Sequence, residues 1–216
     1  MKQLRCWLCA LAAILLCGCA RFAPVLDAHY IPAAASPIIV ASRLSLTQTF
    51  TPRCSGTLRQ IDLPIARFSY HGPDQPLHLR VSRVRGSIPI QAQITTSVVA
   101  SASIAPADVP TDLEWVSFKF REGHLSAGQR YAIWLSTEAE NEYMWAGELD
   151  LRRDGAPFGE YPDGGAFDLG SSASRSPDDP TPKSEWGYIY CDNTSVRSAG
   201  AAADLGFRVY IVPERR

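Results

Sequence analysis

In several short runs between Leu44 and Ile211, apolar residues recur at every second position, and this period constrains the fold more than any other feature. Leu44, Leu46, Gln48 and Phe50 share one side of a segment whose other side is polar. Ile61, Leu63 and Ile65 alternate in the same way, as do Leu77, Leu79 and Val81. Val116, Phe118 and Phe120 lie opposite Trp115, Ser117 and Lys119. Tyr131, Ile133 and Leu135 repeat the pattern with Trp134 on the far side, and Leu205, Phe207, Val209 and Ile211 close it. Successive side chains of a strand point to opposite faces, so each run reads as a strand with one face buried. Turn signals such as His71-Gly72-Pro73-Asp74 separate the runs, and no long amphipathic helix follows residue 20. The expected fold is an all-β sandwich or barrel over residues 44–216. Sixteen prolines and fifteen glycines suit a fold with many turns.

The first residues stand outside that pattern. Lys2 and Arg5 precede an apolar run from Trp7 to Leu16. That run falls well short of the roughly 20 residues a spanning helix needs, and it reads as a signal-peptide core. It ends in Leu16-Cys17-Gly18-Cys19, which resembles the lipobox of bacterial lipoprotein precursors. The resemblance implies a signal peptide over residues 1–18 and a diacylglyceryl group on Cys19. Cys17 departs from the small non-thiol residue more usual at its place, and an ordinary secretory signal or an uncleaved anchor are the alternatives. Two or more acyl chains hold stably where one does not, so the implied anchor is permanent. Ala20, in place of the Asp that retains such proteins in the inner membrane of enteric bacteria, favours the outer membrane. Residues 19–43 carry Pro24, Pro32 and Pro37 among many alanines and show no sustained period. They read as a tether that would reach roughly 60–70 Å if extended.

Removing the signal takes Lys2 and Arg5 from the 21 basic residues and leaves the 22 acidic ones, so the mature chain is mildly acidic. It has no concentrated basic face of the kind nucleic acid requires. Of six cysteines, only Cys54 and Cys191 remain beside the lipidated one. A lone pair in an oxidising envelope compartment reads most simply as a disulfide, with two separate thiols as the alternative. A bridge closing so long a loop adds about 4–5 kcal/mol in the chain-entropy model.

Four segments carry a second resemblance: Gln48-x-Phe50, Leu125-Ser126-Ala127-Gly128-Gln129-Arg130-Tyr131-Ala132-Ile133-Trp134-Leu135, Tyr161-Pro162-Asp163-Gly164-Gly165 and Asp204-Leu205-Gly206-Phe207-Arg208-Val209-Tyr210. In this order they are similar to secreted bacterial jelly-roll β-sandwich modules of the carbohydrate-binding or galactose-binding-like type. These are framework motifs, and the expectation they sharpen is a jelly-roll-like antiparallel sandwich. Residues 149–185 are rich in Gly, Asp, Ser and Pro and lack a period, as a functional loop or a disordered one would. Tyr143 and Trp145 precede this stretch, and Trp186, Tyr188 and Tyr190 follow it. Such rows either stack on a ligand or fill a core. Trp145, Tyr161, Trp186, Tyr143 and Trp134 are the candidate ligand-binding residues.

Metal and catalytic signals are weak. His29, His71, His78 and His124 are dispersed, and no zinc-type cysteine spacing survives maturation. Asp163, Asp168, Asp178 and Asp179 are the carboxylates available to calcium, without EF-hand spacing. There is no G-x-S-x-G elbow, and Glu138, Glu140, Glu142 and Glu148 offer carboxylate pairs too numerous to be informative. The expectation is a non-catalytic binding module tethered to the cell envelope, with a glycan or another envelope component as ligand. A lipoprotein that docks on a protein partner is the alternative, and a glycan hydrolase the third reading.

Overall fold

A computed structural model describes residues 23–33, 36–40, 44–67, 72–85, 97–139, 143–149, 166–170, 189–191, 194–196 and 203–214. Among the described residues fifteen strands follow one another: β1 (Val25–Tyr30), β2 (Ser36–Val40), β3 (Leu44–Phe50), β4 (Gly56–Arg67), β5 (Leu77–Arg83), β6 (Val98–Ile104), β7 (Glu114–Lys119), β8 (His124–Leu125), β9 (Tyr131–Thr137), β10 (Tyr143–Leu149), β11 (Ala166–Gly170), β12 (Ile189–Cys191), β13 (Thr194–Val196), β14 (Ala203–Leu205) and β15 (Phe207–Pro213). The fold is the expected all-β, jelly-roll-like antiparallel sandwich. One sheet runs β1-β15-β4-β10-β14, with β2 beside β10 and with β7 and β8 beside β4. The other runs β11-β3-β9-β5-β6, and β12 and β13 form a separate pair.

The alternating residues supply the core. Leu46, Phe50, Ile61, Leu63, Ile65, Leu77, Leu79, Val81, Phe118, Tyr131, Ile133, Leu135, Phe207, Val209 and Ile211 are buried between the two sheets. The rings of Phe50 and Tyr131 stack at 5.9 Å, and Phe207 from the opposite sheet stands 5.9 Å from Phe50. Gln48 is the polar member of its row, and burial leaves its amide in need of partners. It donates to the Thr49 carbonyl at 3.0 Å and accepts from the Leu205 amide of the facing sheet at 2.7 Å.

That Leu205 amide lies at a junction. The chain pairs with β10 through β14 and, one residue later, with β4 through β15. Gly206 is the joint: its amide donates to the Ala146 carbonyl at 2.9 Å, and its carbonyl accepts from Trp145 Nε1 at 2.8 Å. A Cβ on Gly206 would stand 2.7 Å from Pro64 Cγ, so only glycine fits. Pro64 itself occupies the gap in β4 between Asp62, the last residue paired with β15, and Ile65, the first paired with β10. Proline is tolerated where a ladder is interrupted.

Three expectations are corrected. The tether over residues 19–43 gives way to two strands of the sandwich: β1 pairs with β15, and β2 pairs with β10. Ala28, Tyr30, Ile38 and Val40 from these strands enter the core. Asp27 fixes β1 further by accepting from the amides of Arg53 and Cys54 at 2.9 and 3.0 Å. Within the aperiodic 149–185 stretch, Ala166–Gly170 forms an edge strand along β3. Finally, the Cys54–Cys191 disulfide is not formed, and Cys54 is a free, exposed thiol. Cys54 precedes Gly56 at one end of β4. The β12 strand that carries Cys191 lies against β2, which reaches the other end of β4 through β10.

Candidate functional site

The structure redistributes the aromatic residues. Tyr143 and Trp145 share a face of β10, and that face is the inner one, with both side chains wholly buried. Neither is available to a ligand, which corrects the reading of this pair as a contact surface. The Tyr143 hydroxyl donates to the Gln75 carbonyl at 2.7 Å, and the Trp145 indole is taken up by Gly206. Burial pushes the Tyr143 phenol up to about 12, with Arg67 opposing and Asp74 adding to the shift. Tyr161 and Trp186 lie outside the described residues, as do Asp163, Asp178 and Asp179. Asp168 lies in β11 opposite Leu46. Among the described residues, no three His, Cys, Asp or Glu side chains gather as a metal site would require.

Trp134 stands on the outer face of the five-stranded sheet, half-buried, with the Arg80 guanidinium 4.9 Å above its ring. Among the described residues its Nε1 meets no hydrogen-bond partner. Beside Arg80 is an open depression of about 220 Å³ lined by His78, Leu79, Arg80, Ser101, Ala102 and Ser103. Pockets that enclose a drug-sized ligand start at about 300 Å³, so this one takes only a small group.

The richer surface is the outer face of the eight-stranded sheet. Strand register builds it in rows across β1, β15, β4 and β7. One row is His29, Arg208, Asp62 and Ser117; the next is Leu26, Tyr210, Gln60 and Lys119. Trp115 follows on β7 opposite Pro64. The alternation that sends Val209, Ile211, Phe118 and Ile61 inward sends these residues outward. Arg208 reaches across β4 and lays its guanidinium 3.8 Å from the Trp115 ring centroid. Asp62 is buried at the centre and accepts from Gln60 Nε2 and Ser117 Oγ, both at 2.7 Å. Tyr210 interacts with Asp62 and Arg208 together. Burial first, and then Asp62, push its phenol above the ordinary value against the pull of Arg208. The phenol therefore remains a proton donor throughout the physiological range.

This arrangement offers a platform of one indole, with the Arg208 guanidinium over its ring, and one phenol, stiffened by a hydrogen-bonded carboxylate and rimmed by exposed His29, Ser117 and Lys119. Trp, Tyr and Arg are the residues most often found to carry binding energy at interfaces. The sequence does set Trp115 opposite a core-facing row, and this was the signal available. It gave no sign that Arg208 and Tyr210, nearly a hundred residues later, would join it.

No protein-family model matches the chain, and no curated protein matches it in sequence. Among the described residues, no helix is long and apolar enough to cross a membrane.

Proposed function

We propose that this chain is a lipoprotein of the bacterial cell envelope, anchored through Cys19, whose sandwich is a non-catalytic module that binds a glycan. Ala20 after Cys19 supports an outer-membrane destination. The observation that carries the binding reading is the outward cluster of Trp115, Arg208, Tyr210 and Asp62, held in register across β7, β4 and β15. Two aromatic side chains and a buried carboxylate with its partners already in place have no packing role between the sheets. Sugars present apolar C–H faces to rings and hydroxyls to fixed donors and acceptors, and this surface supplies both. Trp134 and the Arg80 depression belong to the opposite face and serve as its control.

A pull-down of envelope polysaccharide by the mature chain tests the reading. Trp115→Ala and Arg208→Ala are each expected to weaken glycan retention at least tenfold, with cooperative thermal unfolding kept, while Arg80→Ala leaves retention unchanged. Capture of one protein and no glycan, lost in the same variants, would instead make this face a protein-docking surface.

A further inference from the structure

Resting on the lipidation of Cys19, we propose that the pole of the sandwich where β1 begins is a docking surface for anionic phospholipid headgroups. Val25 opens β1 six residues after Cys19. Six residues span about 20 Å at full extension. β4 alone, with 12 residues, rises about 40 Å. The linker is thus shorter than the domain, and it holds one particular end against the membrane.

Register identifies that end. Val25 pairs with Ile211, Pro213 pairs with Gly56, and Gly56 pairs with Leu125. The start of β1, the turn before β4, β8, the turn after it and the end of β15 therefore share one pole. Among the described residues, Arg53, Arg85, Arg121 and Arg130 are exposed there, with Glu122 and Glu214 as the exposed acidic residues and Asp27 buried behind Arg53. The Glu214 carboxylate is engaged by His124 at 2.8 Å. Val25 and Leu26 are 44% and 46% exposed beside them, as apolar side chains at a headgroup boundary would be. Among the described residues the opposite pole has the reverse sign: Asp74, Asp108, Asp112, Glu114 and Glu138 are all exposed, against Arg67.

An anionic leaflet attracts the first pole and repels the second, and this field acts within about 8 Å at physiological salt. The basic pole is inside that range when the linker is slack, and the acidic pole is not. The sandwich accordingly stands on end, with both sheet faces, including the Trp115 platform, turned sideways to solvent.

The test uses the lipidated chain extracted from membranes and reconstituted into vesicles of phosphatidylcholine and phosphatidylglycerol carrying a headgroup nitroxide. A fluorophore is placed on Cys54 in a Cys191→Ser background, or at the far pole through Glu138→Cys with Cys54→Ser and Cys191→Ser. Several-fold stronger quenching at position 54 than at 138, reduced by Arg121→Glu with Arg130→Glu, is the expected result. Equal or reversed quenching, with the lipid confirmed on Cys19 by intact mass, overturns the docking pole and leaves the lipoprotein standing. Absence of lipid mass on Cys19 overturns the lipoprotein reading and the docking pole with it.

Discussion

Tyr143 shows how one side chain can be assigned to the right strand and the wrong surface. The period places Tyr143 and Trp145 together on β10, but a period of two does not say which side faces the core. That choice is made by partners far away in the chain, Gln75 for the phenol and Gly206 for the indole. The burial has a consequence in alkali. An unfolded tyrosine ionises near pH 10.0, whereas Tyr143 in the fold holds its proton up to about 12. Below pH 10 both states are protonated and this contribution is intact; it is lost as pH rises from 10 towards 12, because the unfolded chain releases the proton first. Urea titrations across that range are expected to show a steeper alkaline loss of stability in the parent chain than in Tyr143→Phe. Trp115 makes the complementary point. Its outward position follows from its neighbours Val116 and Phe118, yet its stacking partner Arg208 comes from a strand that only the tertiary fold brings near.

At the scale of elements, the strongly alternating strands were legible and the edge strands were not. β3, β4, β5, β7, β9 and β15 each bury a row named by the period alone. β1 lacks a clean alternation because its register shifts between Leu26 and Ala28. β2 is five residues long and contains a proline. Such segments become strands through the neighbours they pair with rather than through their own pattern. The β14–β15 joint was equally hidden, since a glycine before Phe207 reads as an ordinary turn residue. Its packing makes a specific demand. Gly206→Ala forces a methyl group against Pro64 and the Pro32 ring, 2.7 and 3.0 Å away. A destabilisation of about 1–3 kcal/mol is expected, the usual cost of overpacking, and chemical denaturation measures it.

For the whole molecule, the difference between a tether and two strands decides where the domain begins. A chain starting at residue 43 lacks β1 and β2 and so uncovers one edge of β15 and one edge of β10. It also loses Tyr30, Ile38 and Val40 from the core. Circular dichroism melts are expected to show cooperative unfolding for a chain starting at residue 20 and its loss, with aggregation, for one starting at residue 43. Composition and period carried the class of the fold because they report burial. They did not carry the domain boundary, because proline and alanine suit an edge strand as well as a linker.

The place of β15 between β1 and β4 also sets an order of events in time. β15 is an interior strand of the larger sheet although it lies far along the chain from β1, and among the described residues β1 has no other partner in that sheet. Closure of the sheet must therefore wait until β15 has been made, and contacts of such long sequence separation slow the search. Until then the polypeptide stays open along β1 and β4, and the residues that later form its core are exposed to proteolysis.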